Sequence, residues 1–238
     1  MLRSTHQEQT RLDVIDALGP EAVFIVNDWA MKFLPQRYRE SQTDWFGKRG
    51  ISWHISVVYR RMAGELKWQG FIHIIQSCSQ GSSAVVAIMH HVLATLKSEH
   101  PEVNKAYFRQ DNAGCYHSSR TILVCPEISA STGIQVSRVD FSDRQGGKGA
   151  EGHDVCTANE LKNGLLSHGG LDGVRVVSLD AIDETPDESQ TISGITKLNN
   201  FEFSPIQLPV GTRIASAAEE QSNQTRSHLV RMQTVMGL

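Results

Sequence analysis

Four consecutive apolar residues, Val23 to Val26, lie between turn-like flanks in AVFIVND and predict a strand buried on both faces that ends at Asp28. ISWHISVVY alternates: Trp53, Ile55, Val57 and Tyr59 share one face, with Ser and His opposite them. LKWQGFIHII reads as a third strand, with a bulge predicted at Gly70. The period then changes. Val85, Met89, Val92 and Leu96 recur at helical spacing, Ser82 or Ser83 can cap the start, and Pro101 stops the helix region. KAYFRQD predicts a fourth strand ending at Asp111. SSRTILVCPEISA predicts a helix broken by Pro126, and GIQVSRVDF a fifth strand. GHDVCTANELKNGLLSHGG reads as a helix ended by Gly169 and Gly170, with strand candidates in GVRVVSL and ISGITKLNNFEF. The order β-β-β-α-β-α-β-α predicts an α/β domain with a mixed five-stranded sheet, helices on both faces and a short β extension. Residues 1–20 read as a polar lead-in, 21–204 as the core, and 205–238 as a weakly ordered tail or a detached helix.

Composition changes this picture little. The chain has 238 residues, 39% of them apolar, and a mean hydropathy of −0.29, as in soluble globular proteins. No apolar run approaches the roughly 20 residues of a membrane span, and MLRSTHQEQTRLD lacks an apolar signal region. The expectation is an intracellular protein without membrane association. Cys78, Cys115, Cys125 and Cys156 form no CxxC pair, which suits reduced thiols. The net charge of −3 argues against a general grip on nucleic acid. Its distribution qualifies that: residues 31–67 hold eight Lys or Arg against three acids, whereas 172–188 hold six acids and one Arg.

The carboxylates carry the candidate chemistry. Asp28 and Asp111 each follow an apolar strand, and strand ends on a mixed sheet are where such folds build sites. If those strands lie side by side, the two acids converge. Close carboxylates repel, and a divalent cation with oxygen ligands, Mg²⁺ or Mn²⁺, supplies the missing counter-charge. Two such ions clamp the attacking and leaving oxygens of a phosphodiester displacement. The third acid is sought in VSRVDFSDRQGGKGAEGHDVC. Asp154, near a helix N-terminus, is favoured over Asp140, Asp143 and Glu151. Lys148 in the glycine-rich turn and Lys32 are candidate phosphate contacts. The bland readings are a strand end at Asp28, a turn at DNAG and a solvated loop at QGGKG, which lacks the P-loop spacing. Cys115, His117 and Cys125 match no zinc spacing and read better as buried thiols and a satisfied histidine. His90 and His91 lie on a helix with one ring near the core.

The strand order, with acids after the first and fourth strands and on the last helix, resembles the ribonuclease H-like fold. VFIVNDWAMKFLPQRYRESQTDWFGKRGISWH, QDNAGCYHS, VDFSDRQGGKG and ISGITKLNNFEF further resemble a group of uncharacterised, transposon-derived animal proteins. The resemblance covers residues 20–205. It implies a DDE/D transposase core in the nucleus that cleaves DNA phosphodiesters and transfers strands, with Asp28, Asp111 and Asp154 holding Mg²⁺ or Mn²⁺. DNA is the implied partner, and a homodimer is compatible with it. The chain departs from the pattern at the third acid, reading GAEGHDVC where relatives read GKGPCDR, and has Asp143 where they carry Glu. It also lacks their zinc-finger region, so a truncated or decayed copy is expected. The rival expectation is a domesticated, non-catalytic fragment that binds DNA or protein. A repair or RNA-processing nuclease is a third. A proofreading exonuclease is disfavoured, since Asp28 is followed by Trp29 and Ala30 rather than by x-Glu.

Overall fold

The apolar runs become a single mixed sheet in a computed structural model, which describes residues 12–34, 41–42, 50–142, 157–166, 172–182, 192–195, 198, 200–203 and 230–233. In chain order the elements are β1 (Ala22–Trp29), β2 (Ser52–Met62), β3 (Glu65–Ser77), α1 (Ser82–Glu99), β4 (Lys105–Asp111), α2 (Ser119–Leu123) and α3 (Cys125–Thr132). They are followed by β5 (Gln135–Ser142), α4 (Ala158–Leu166), β6 (Val174–Ala181), β7 (Asn200–Phe203) and β8 (Val230–Gln233). The strands align as β6-β3-β2-β1-β4-β5-β7-β8. β1, β2 and β3 form an antiparallel meander, and β4 and β5 add to β1 in parallel. The sheet therefore exceeds the five strands expected. β6 runs parallel to β3 at one edge, and β7 and β8 extend the other as an antiparallel pair.

Helices cover both faces. Val85, Ile88, Met89, Val92 and Leu96 of α1, with Ile122 and Ile128 of α2 and α3, bury Val23, Ile25, Val58, Phe71 and Phe108 of the sheet. On the opposite face Ala158, Leu161 and Leu165 of α4 pack on Ile72, Ile74, Val174 and Val176. Val14, Ile15 and Leu18, in and after the helical residues 12–16, cover Phe24, Tyr59 and Tyr107 beside them.

Three local expectations change. The β2–β3 register runs unbroken through Val57↔Gly70, so Gly70 is a regular strand residue and not a bulge. A Cβ there would come within 3.1 Å of Val174, and the Gly70 N–H donates to the Gly173 carbonyl at 2.7 Å, so the missing side chain lets β6 dock. The N-cap of α1 is Gly81, without a side-chain cap from Ser82 or Ser83. Residues 230–233, within the stretch read as a tail, form β8. Pro126 acts as anticipated, opening a second helix after the break.

The faces of β2 are the less expected outcome. Its more deeply buried side is Ser52, His54, Ser56, Val58 and Arg60, while the apolar Trp53, Ile55, Val57 and Tyr59 are only half-buried. The reason is α1, the longest of the described helices, which lies over the polar side. Asn27, His54, Ser56, His73 and Gln110 thus form a buried polar layer at the end of the sheet where β1 and β4 finish. Arg60 escapes the cost of an unpaired buried charge through its 3.3 Å ion pair with Glu102.

Burial holds the two core imidazoles neutral. It pushes His73 down to about 4, with His91 adding to the shift, and holds His54 well below its usual value, with His73 adding there. In the unfolded chain both regain a value near 6.5. Below that pH the unfolded state binds more protons, so stability is complete above about pH 6.5 and declines as pH falls towards 4. His73 alone is expected to remove on the order of 3 kcal/mol across that window. Urea midpoints measured from pH 7.5 to 4 should fall accordingly, and less steeply in His73→Leu; parallel pH profiles for the two proteins would contradict this.

Candidate carboxylate site at the ends of β1 and β4

The apolar run that opens β1 is buried through Ile25, and the strand then alternates, with Asn27 buried and Asp28 exposed. β4 alternates throughout: Ala106, Phe108 and Gln110 face the core, and Lys105, Tyr107, Arg109 and Asp111 face the other way. Asn27 and Gln110 are register partners in the parallel β1–β4 pair. The next residue on each strand is Asp28 and Asp111. The two acids therefore project from the same face, on strands whose spacing is about 4.8 Å. The convergence anticipated for separate strand ends is met through this pairing.

The electrostatics agree. Asp28 is held above the usual carboxylate range, first by partial burial and second by the negative charge of Asp111; the Trp29 backbone N–H opposes both. Asp111 is half-buried, and its Oδ1 is shielded from solvent with no hydrogen-bond partner. A buried carboxylate oxygen facing a second carboxylate, with no donor, is a site suited to a cation.

The segments after both acids are held in place. Beyond Asp28, Ala30 N–H donates to the Trp53 carbonyl at 3.1 Å, Trp53 Nε1 donates to the Met31 carbonyl at 2.6 Å, and Phe33 pairs with Ile51. Lys32 lies exposed on this segment, four residues past Asp28. A Cβ at Gly50 would fall 2.8 Å from the Lys32 Cβ, so glycine is needed for that close approach. Beyond Asp111, Asn112 Oδ1 meets His117 Nδ1 at 2.6 Å, and the His117 ring stacks on Phe141 at 4.2 Å. Ser118 caps α2 by accepting from the Thr121 N–H at 3.1 Å. This turn brings Tyr116 into the core, where burial above all, with the carboxylates of Asp28 and Asp111 adding, keeps its hydroxyl protonated.

The other candidates separate clearly. Burial raises the Cys115 thiol and pushes Cys125 up to about 12, so both remain neutral. With His117 bonded to Asn112, the zinc alternative has no support, and no group of three metal-ligating side chains occurs among the described residues. Asp140 lies on the face of Asp28 and Asp111, where its Oδ1 accepts from Arg138 Nε at 2.7 Å, so it is already partnered. Asp143, Lys148, Glu151 and Asp154 lie outside the described residues. α4, which follows them, begins at Ala158 with its N–H donating to Gln76 Oε1 of β3 at 2.6 Å. It packs on the same face of the sheet as the two acids. Of the basic stretch, Arg60 pairs with Glu102, Arg61 donates to the Ile15 carbonyl and Lys67 pairs with Glu65. Arg37, Arg39, Lys48 and Arg49 lie outside the described residues.

The polar residues beneath the acids, Asn27, His54 and Tyr116, were not singled out in the sequence. Only the N-D and D-N-A-G-C-Y-H strings hint at them, and nothing local shows that α1 will cover them.

Residues 7–154 match the model of a family described as a domain of unknown function, DUF8701. The chain belongs to the DUF8701 family. The matched segment of this DUF8701 domain runs from the helical lead-in through β5 and contains both Asp28 and Asp111. Among solved structures the domain is similar to a human cytomegalovirus terminase nuclease domain, Mn soaked and inhibitor bound, at 11% identity and a TM-score of 0.27, over 71% of this chain and 70% of that one. That likeness is too slight to carry an argument. No curated protein matches the chain.

Removing the charge of Asp111 should lower the Asp28 pKa, because Asp111 is one of the two causes of its elevation. A ¹³C carboxyl titration of Asp111→Asn against wild type measures this; an unchanged Asp28 midpoint would mean that the carboxylates do not interact.

Proposed function

We propose that the domain is a metal-dependent DNA phosphodiester-cleaving core with a ribonuclease H-like fold, of the kind found in DDE/D transposases. The observation that carries this reading is the β1–β4 register, which sets Asp28 and Asp111 side by side. The order β3-β2-β1-β4-β5, with an antiparallel meander and two parallel additions, supports the fold assignment. The donor set fits a hard divalent cation: two adjacent carboxylates, one with an unpartnered buried oxygen, and no soft ligand in its thiolate form.

Asp28 and Asp111 would hold Mg²⁺ or Mn²⁺, with Asp154 as third ligand, or Asp143 or Glu151 in its place. The cation supplies charge neutralisation and an activated water at neutral pH. The chain's own residues do the rest. The strand ends fix the separation of the carboxylates, and the Trp53–Met31 and Phe33–Ile51 contacts hold the segment carrying Lys32. Lys32 and Lys148 would contact the DNA phosphates, and Tyr116 would keep its proton beside the acids.

A second reading, a domain that binds DNA or protein without cleaving, draws on one observation: the described residues bring together two acids rather than three. Plasmid nicking with Mn²⁺ separates the two. The enzyme reading expects Asp28→Asn and Asp111→Asn each to lose about 100-fold or more in rate, the equivalent of about 2.7 kcal/mol of transition-state stabilisation. It expects a comparable loss in one of Asp154→Asn, Asp143→Asn and Glu151→Gln. Equal nicking by wild type and Asp111→Asn would refute it, and DNA binding without nicking would favour the second reading.

A further inference from the structure

The buried polar layer has an order that the carboxylate site does not use. His54 and His73 are register partners on β2 and β3, with ring centroids 6.3 Å apart. His73 Nε2 lies 3.0 Å from Nδ1 of His91, an exposed residue of α1. On the other side the His54 ring lies 5.9 Å from that of Tyr116 and meets the edge of Trp29 at 4.9 Å. A row of three imidazoles thus leads from the helix surface, through the core, to the residues next to Asp28 and Asp111.

The hydrogen-bond accounting of this row does not close within the protein. A neutral imidazole has one donor and one acceptor nitrogen. If His73 Nε2 donates to His91, its Nδ1 is a bare acceptor; if it accepts, its Nδ1 carries a hydrogen. In both cases His73 Nδ1 is buried without a partner. His54 Nδ1 sits 3.4 Å from Ser56 Oγ, and its Nε2 is likewise buried and unpartnered. So are the Tyr116 hydroxyl and both side-chain polar atoms of Asn27, the register neighbour of Ser56. His54, His73, Asn27 and Tyr116 are each at most 2% exposed. Buried polar groups in folded proteins are paired with protein or with ordered water.

We propose that this layer is an internal water-binding site whose water bridges His54 and His73, completing a proton-exchanging chain from His91 on the surface of α1 to His54 beside Tyr116. The two rings lie with centroids 6.3 Å apart and each keeps one buried nitrogen without a partner. His54, His73, Tyr116 and Asn27 offer the two to four polar partners that a buried water requires. A metal is disfavoured as occupant, since no three ligating groups gather among the described residues. Burial keeps both core rings neutral, so each can accept a proton on one nitrogen and release the other's. A proton exchanged at His91 passes to His73, and from His73 Nδ1 to the water, with which His54 Nε2 exchanges in turn; each proton returns along the same path to His91, so no charge stays in the core. Any use of this chain in phosphodiester cleavage rests on the function proposed above; the water site and the coupling of the rings do not.

The test is long-range ¹H–¹⁵N spectroscopy of the full chain labelled in histidine, together with water cross-relaxation at pH 7.5. The expected result is a slowly exchanging water with cross-peaks to the His54 and His73 rings. In His91→Phe the ring ¹⁵N resonances of His73 should shift, and those of His54 should shift with them through the water. His90→Gln, on the adjacent exposed position, should move neither, and His91→Gln provides a milder substitution should the phenylalanine disturb folding. Absence of the water cross-peaks, or a His54 ring indifferent to both His91 variants, overturns the proposal. None of these readouts depends on cleavage.

Discussion

The parallel pairing of β1 with β4 is the constraint on which the rest depends. It aligns Asn27 with Gln110, and both are buried against α1. Because side chains alternate along a strand, that burial fixes Asp28 and Asp111 on the opposite face, at the same height and on neighbouring strands. A slip of one residue in either strand would place an acid in the core under α1 and a neutral amide at the surface. The apolar residues preceding them, Val23, Ile25, Ala106 and Phe108, make such a slip costly by requiring burial in the same phase.

The arrangement concentrates uncompensated polarity at one end of the sheet. Above the sheet, two carboxylates face each other, and partial burial first, then their mutual repulsion, raises Asp28. Below it, neutral histidines, an asparagine and a tyrosine are buried with polar atoms left over. Several charged groups elsewhere are paired: Arg60 with Glu102, Asp140 with Arg138, and Lys97 with the Pro101 and Val103 carbonyls. Unsatisfied groups clustered at a strand end mark the region where stability has yielded to another requirement. On the function proposed, a cation would compensate the carboxylate pair, and on the further proposal a water would complete the imidazole row.

Much of this was legible in the sequence, for local reasons. The buried runs and the helical period at Val85, Met89, Val92 and Leu96 identified the elements through β5, and Pro126 marked the break between α2 and α3. Asp28 and Asp111 stood out because each ends an apolar strand. What could not be read was set by tertiary partners. The polar side of β2 is the deeper one because α1 lies over it, and periodicity identifies two faces without saying which will be covered. Gly70 looked like a fault in a strand and is a seat for β6, a partner about a hundred residues away. β7 falls at the end of the strand candidate ISGITKLNNFEF, whereas β8 is four residues long, too short for a periodic signal, and pairs only because β7 offers an edge. The third acid was the weakest reading in the sequence, and all its candidates except the partnered Asp140 fall outside the described residues.

The central claim is that Asp28 and Asp111 form one cation-binding pair. The most direct test is paramagnetic broadening of backbone amide signals by substoichiometric Mn²⁺. The account predicts that broadening centres on residues 28–30 and 111–113, and that it disappears in both Asp28→Asn and Asp111→Asn. Broadening centred elsewhere, or a pattern that survives either substitution, would contradict it.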